Sequence, residues 1–315
     1  MRANSNNILI TGCAGFIASH IIEELLKDSS NSIVGIDNFY SGTKGNIEFI
    51  DSLDTNNRFQ FIQADIRDAQ KMNQVIKDNN ISQVYHLAAI VSVQESIKNP
   101  LLTHDVNTKG TLNILEISRQ NSVKRVVFSS SAAVYGDEPT QPKNEDSQTK
   151  PISPYGYEKL IAEQYMKYYS DLYNLETVVL RYFNVYGKRQ SIKSDYSGVI
   201  SVFEDKFKNN EEPNIYGDGE QYRDFIDVKD VVVANIKAMN TPNISGEVFC
   251  VGTSDKVSIN NLMDFMNKKY HKKYKAYYMD ARVGDILESI CDNSKIKNLL
   301  NINEFRKFEE GILLL

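Results

Sequence analysis

Tryptophan is absent from this 315-residue chain, cysteine occurs three times and histidine four times. Cys13, Cys250 and Cys291 are far apart and odd in number, with no Cys-x-x-Cys pair. That excludes a disulfide framework and a cysteine-based zinc site, and it fits a reducing compartment. His20, His86, His104 and His271 have no metal-ligand spacing either, so no metal is expected. No run of 18 apolar residues occurs, and residues 1–7 lack a hydrophobic signal region. The expectation is a cytoplasmic protein without a membrane partner. Basic residues do not dominate: 36 Lys and Arg stand against 41 Asp and Glu, a formal charge of −5. Without a basic stripe, nucleic acid is not expected as a main partner, although local basic residues can still bind a diphosphate. No internal repeat or low-complexity tract interrupts the chain.

What is present describes an ordinary globular protein, 41% hydrophobic and 24% charged, long enough for one large or two modest domains. Asn7–Thr11 is a short apolar strand that stops at Gly12, Cys13, Ala14, Gly15, Phe16, Ile17 and Ala18. A helical face follows at Ile17, Ile21, Ile22, Leu25 and Leu26. A glycine-rich turn between strand and helix aims backbone N–H groups and the positive helix end at a pyrophosphate. The pattern is G-x-x-G-x-x-A, and by itself it is also an ordinary strand-to-helix turn. The next strand, Ser32–Ile36, ends at Asp37, about 20 residues past the glycines, where a carboxylate holds a ribose diol. Strands at Phe59–Ile62, Gln83–Ala89 and Lys124–Phe128 alternate with helices at Asp68–Lys77 and Ile97–Gln120. The third strand ends near Asp65 and Ile66, a pair suited to adenine, with Asp65 equally able to cap the next helix. This alternation predicts an α/β protein with a doubly wound parallel sheet.

The fifth strand delivers Ser129, Ser130 and Ser131, and after a polar loop comes Ser153-Pro154-Tyr155, with Lys159 four residues on. Ser153 can cap a helix and Pro154 suits its first turn. Tyr155 and Lys159 then share one helical face. An ammonium beside a phenol favours the phenolate and lowers its pKa from about 10. A serine hydroxyl within reach completes a proton-transfer unit for an alcohol. A lone Tyr-x-x-x-Lys is more often a plain helix face; here it follows a glycine turn, a strand-end acid and a serine run. Beyond the sixth strand, Glu176–Arg181, the pattern loosens into short elements. A boundary near residue 187 separates a dinucleotide-binding domain, 1–187, from a smaller lobe, 188–315, with the chain crossing back between them.

The whole constellation resembles the extended short-chain dehydrogenase/reductases of the NAD-dependent nucleotide-sugar epimerase and dehydratase group. The residues that carry it are Thr11–Ala18, Asp37 with Asn38, Asp65 with Ile66, and His86-Leu87-Ala88-Ala89. Ser129–Gly136, Tyr155 with Lys159, Arg181–Gly187, Gln221–Val228 and Arg282–Asp285 follow in order. The fold implied is a Rossmann-type sheet with a smaller, mixed substrate-binding lobe. The resemblance implies NAD held by Gly12, Gly15, Phe16, Ile17, Asp37, Asn38, Asp65, Ile66, Leu87, Ala88, Ala89, Tyr155 and Lys159.

The best match within the group is the UDP-hexose 4-epimerases. Tyr155 as phenolate would take the 4-OH proton while the C4 hydride leaves to NAD⁺. The 4-keto sugar would turn over, and both would return to the opposite face. Ser131 would hydrogen-bond O4, Asn184 the sugar or its diphosphate, Arg223 and Arg282 the phosphates, and Asp285 the uridine ribose. Ala132 and Ala133 stand where dehydratases keep an Asp-Glu pair, which argues against dehydration. Ser289 occupies the gate beside C2 of the sugar, where a small residue admits an N-acetyl group, and Ser92 resembles a serine near that group. The substrate expected is therefore UDP-N-acetylglucosamine, with UDP-glucose as a further substrate. UDP-glucuronate 4-epimerases or decarboxylases are the alternative. From another class there is a non-catalytic dinucleotide-binding protein, which would lack the Tyr or Lys. The two long helices imply a homodimer through a four-helix bundle.

Overall fold

The structure, a computed structural model, describes residues 6–190, 198–281 and 287–315. Its centre is a parallel sheet of seven strands. In chain order these are β1 (Asn6–Thr11), β2 (Asn31–Asp37), β3 (Phe59–Gln63), β4 (Gln83–His86), β5 (Arg125–Ser131), β6 (Glu176–Tyr182) and the Glu247–Val251 strand. Across the sheet the order is Glu247–Val251, β6, β5, β4, β1, β2, β3. Winding runs outward in both directions from the β1–β4 boundary, and the crevice for a ligand opens at the carboxyl ends of those strands.

Apolar residues on both faces explain why these strands are central rather than edge-like. Side chains alternate along β1: Ile8 and Ile10 enter one core cluster and Leu9 the other. The first cluster packs helix α1 (Phe16–Leu25) and the Val228–Asn240 helix through Ile21, Ile22, Val231 and Ala234. The second packs the Ala69–Asp78, Thr111–Gln120 and Pro154–Tyr173 helices through Met72, Ile76, Ile114, Leu115, Ala162 and Met166. The Glu247–Val251 strand pairs with β6, so the chain returns to the sheet well after residue 187.

The helix expected over Ile97–Gln120 is interrupted. A short helix, Val93–Lys98, stops before Pro100, which has no N–H to continue the ladder. A new helix starts with Pro100 in its first turn and runs on through a wide π turn at Asp105–Gly110. That wide turn is where Asn107 becomes buried. A helix at Lys44–Leu53, with Ile47 and Ile50 buried one turn apart, fills the stretch after the Asn38–Thr43 loop.

The remaining elements form a lobe with its own core. Phe203, Phe207, Ile215, Phe225, Leu262, Met266 and Phe308 are its buried centre. Among the described residues no helix is long and apolar enough to cross a membrane.

Candidate active site

One large cleft, about 480 Å³, lies at the carboxyl ends of the strands. Gly12, Gly15, Phe16, Ile17, Asp37, Asn38, Asp65, Ile66, Leu87, Ala88, Ala89, Tyr155 and Lys159 all line it, as does Ser131. The thirteen positions expected at the cofactor thus meet in one space. Gly12 makes this possible: its φ is +73° and an added Cβ would sit 2.8 Å from Ala88 N, so the β1 turn can approach the β4 end. At Gly15 no side chain caps α1, so the first-turn N–H groups are free for an anion.

The two carboxylates at the far end are held differently. Asp37 is buried at the end of β2, where its oxygens accept Ala14 N (3.0 Å) and Phe39 N (2.7 Å). Burial pushes its pKa up, against those backbone bonds. Asp65 does not cap a helix; Asp68 does, accepting Lys71 N at 2.9 Å. The Asp65 carboxylate takes Arg67 (2.9 and 2.7 Å) and Asn38 Nδ2 (2.9 Å) instead, and the Arg67 bonds bring it down to about 2. Asn38 and Asp65 are thereby tied into one wall of the cleft.

At the other end, Ser153 Oγ accepts Gly156 N at 3.2 Å and starts the Pro154–Tyr173 helix. This helix presents Tyr155 and Lys159 to the ends of β4 and β5. The Ser131 hydroxyl accepts Ala133 N at 3.2 Å and acts to lower the Tyr155 pKa. Lys159 Nζ donates to Ser129 O at 2.8 Å and stands 5.9 Å from the Tyr155 ring centroid. The ammonium is therefore anchored on β5, not on the phenol oxygen. Burial dominates both groups: Tyr155 is pushed up to about 12 and Lys159 down to about 8. The sequence had suggested a phenol pKa lowered by the lysine; a dry pocket around an unionised phenol has the larger effect.

A residue that the sequence named in the His86–Ala89 motif without giving it a role closes the floor. His86 is fully buried, which pulls its pKa to about 3, so it is a neutral imidazole. Thr111 Oγ1 donates to Asn107 O (2.6 Å) and so accepts from His86 Nε2–H (2.9 Å). Nδ1 then accepts from Thr11 Oγ1 (2.7 Å), which receives the N–H groups of Leu87 and Ala88 at 3.2 Å. One hydrogen-bonded chain thus locks β1, β4 and the π turn beneath the cleft.

The residues expected on the substrate side fall into three groups. Asn184, Arg223 and Ser289 come together on adjoining short strands: Ser289 is in register with Arg223, and Asn184 Nδ2 donates to Asp224 O at 3.0 Å. Ser92 lies apart from them. It is buried, and its Oγ accepts Glu95 N at 2.7 Å as a helix cap; none of Ser92, Asn184, Arg223 and Ser289 is in the cleft lining. This cap is a role its Ser-x-x-Glu spacing could have suggested. Arg282 and Asp285 lie outside the described residues. Sequence reading also passed over Asp224, which is fully buried and accepts Thr253 N and Oγ1 (2.8 Å each), Ser254 N (2.9 Å) and Cys291 N (3.1 Å). It staples three segments of the lobe behind Arg223 and Ser289; the sequence contains it within the Gln221–Val228 motif but gives it no role.

Comparison with known proteins agrees with this arrangement. Residues 8–252 match the model of the NAD dependent epimerase/dehydratase family. A putative UDP-glucose 4-epimerase of Methanocaldococcus jannaschii is 40% identical over 293 residues, 93% of this chain and 92% of that protein. The UDP-N-acetylglucosamine 4-epimerase of Methanobrevibacter ruminantium, solved with UDP-N-acetylmuramic acid, superposes with a TM-score of 0.92 at 36% identity, covering 99% of this chain and 97% of the other. The UDP-glucuronic acid 4-epimerase of Bacillus cereus, solved with UDP-glucuronic acid and NAD, gives 0.87 at 32% identity, with 97% and 96% covered. Glycine turn, strand-end acid, Tyr-Lys helix and similarity along nearly the whole length lead to one conclusion: the chain belongs to the NAD dependent epimerase/dehydratase family.

Proposed function

We propose that the protein interconverts UDP-N-acetylglucosamine and UDP-N-acetylgalactosamine by epimerisation at C4, and accepts UDP-glucose as well. The observation that carries this reading is the single cleft with Asp37 at one end and Ser131, Tyr155 and Lys159 at the other. Asp37, Asn38 and the free N–H groups at the start of α1 would hold NAD by its ribose and diphosphate. NAD supplies the hydride acceptor and then the hydride donor. Tyr155 takes the proton from the sugar's 4-hydroxyl and returns it after the 4-keto sugar has turned over. A phenol that burial pushes up to about 12 needs help to ionise. The Ser131 hydroxyl and the charge of Lys159 supply it. Arg223 is the candidate for the UDP diphosphate, with Arg282 and Asp285 proposed beside it.

The N-acetyl preference rests on Ser289, since a small side chain leaves room beside C2. Exposed apolar side chains support a homodimer. Tyr157, Ile161, Tyr168 and Leu172 form a stripe on the Pro154–Tyr173 helix, beside Ile97 and Leu101 of the neighbouring helices. Two such faces would build a four-helix bundle. The test is to incubate the enzyme with UDP-N-acetylglucosamine, UDP-glucose and UDP-glucuronate separately and follow the anomeric protons by NMR. A galacto signal from the N-acetylated sugar is expected. Conversion of UDP-glucuronate alone, the substrate of the Bacillus cereus relative, would replace the substrate and keep the chemistry.

A further inference from the structure

The Pro154–Tyr173 helix buries two carboxylates, and they are not equivalent. Glu163 is matched: Arg181 reaches it with Nε at 3.0 Å and Nη2 at 2.7 Å, and Ser130 Oγ donates at 2.5 Å. Glu158 is as deeply buried, at 4% exposure. Its oxygens accept only neutral donors, Thr103 Oγ1 at 2.6 Å and Asn107 Nδ2 at 2.7 Å. Among the described residues no cation forms an ion pair with it. An ionised carboxylate in such a place is costly unless a positive charge lies near. The next residue is Lys159, itself buried, whose ammonium donates to a carbonyl and to no acid.

We propose that Glu158 is a positioning residue of this site, the counter-charge that keeps Lys159 an ammonium in a dry cleft. The proposal rests on the assignment of Tyr155 and Lys159 to the chemistry and adds a residue to it. Other charges around the pair are accounted for. On β4, His86 is neutral. On β6, Arg181 is engaged by Glu163, and the Tyr182 phenol meets Ser129 Oγ and Asn235 (3.0 Å each). On the facing helix, Asp105 and Lys109 pair with each other at the surface, 3.9 Å apart. Glu158 is left as the buried carboxylate next in the helix to Lys159 and one turn after Tyr155.

The two partners respond in a linked way. Beneath the dominant effect of burial, the Glu158 charge raises Lys159, with a lesser contribution from Glu163, and also raises Tyr155. Removing it should therefore lower both. Glu158→Gln does this with little disturbance. The new Nε2–H can donate to Thr103 Oγ1, whose hydroxyl turns to Pro100 O at 3.2 Å, while Oε1 keeps Asn107.

The experiment titrates the holoenzyme labelled with 15Nζ-lysine and 13Cζ-tyrosine. Signals are assigned by their loss in Lys159→Met and Tyr155→Phe. In Glu158→Gln both midpoints should fall by about one pH unit or more, and both limbs of the kcat/KM pH profile should follow. Midpoints that stay in place while kcat drops would make Glu158 a packing residue and overturn the proposal. A second measurement does not need the single variant to be well folded. In the Lys159→Met background Glu158→Gln should raise the urea midpoint of unfolding, because it removes a stranded charge. Equal effects of Glu158→Gln in both backgrounds would equally refute the pairing. The NMR titration and the urea midpoint need no sugar, so failure to turn over any UDP-sugar would count against the proposed function and leave Glu158 to be decided by those two measurements.

Discussion

The parallel sheet and the lobe that follows it hold their functional residues by different means. In the sheet, strands of four to seven residues are set by backbone ladders, and side chains at their ends inherit that position. Asp37, Ala88 and Ser131 lie where β2, β4 and β5 deliver them. In the lobe the strands carrying Arg223 and Ser289 are two residues long, too short to define themselves. They are placed by side chains acting on backbone. The Asp224 carboxylate gathers N–H groups from two other segments, Thr253–Ser254 and Cys291, and the Gln141 amide works as a substitute strand, donating to Glu288 O (2.7 Å) and accepting Ile290 N (3.1 Å). A ladder is cooperative and tolerant of single changes; a staple is one residue deep.

The comparison predicts separable failures. Removing the Tyr155 hydroxyl acts on chemistry alone, since the ring stays packed. Tyr155→Phe should lower kcat about 1,000-fold and keep NAD bound, as followed by steady-state kinetics and by cofactor content after gel filtration. A variant with full turnover would end the catalytic assignment. Phe308 is the aromatic hub of the lobe, with ring centroids 5.4, 5.2 and 5.4 Å from Tyr186, Phe225 and Phe265. Phe308→Ala should destabilise by about 3 to 5 kcal/mol, and the damage should concentrate in the lobe. KM for the UDP-sugar rises while NAD affinity holds; equal loss of both would show the two regions to be one cooperative unit. The smallest effect is expected at the gate. Ser289→Tyr should cut kcat/KM for the N-acetylated sugar about 10- to 100-fold with UDP-glucose little changed. Parallel loss on both sugars would dissolve the selectivity argument.

The same contrast explains what could be read from residues alone. Periodicity and turn chemistry found β1 through β6, the Ser153 cap and the Tyr155–Lys159 face, because each is a local pattern repeated along a ladder or a helix. Every cofactor position named from the sequence lines the cleft for that reason. The helix expected over Ile97–Gln120 ran across Pro100, where a residue without an N–H ends one helix and opens the next. Ser92 looked like a site residue because a small polar residue in a loop carries no mark of what its hydroxyl meets. Asp224, His86 and Glu158 were passed over for a related reason. A buried polar residue differs from an exposed one only in its partners, and these come from far along the chain: Cys291 for Asp224, Thr11 for His86, Asn107 for Glu158.

By itself the sequence determined the doubly wound sheet, the family and the residues that line the cleft, since those follow from local hydrogen-bonding patterns and side-chain period. Only the tertiary structure decided the electrostatics. It anchored Lys159 on a carbonyl, made Tyr155 hard to ionise by burying it, and buried the Glu158 carboxylate among neutral donors. Burial and charge are properties of the packed neighbourhood, and no stretch of chain carries its own dielectric.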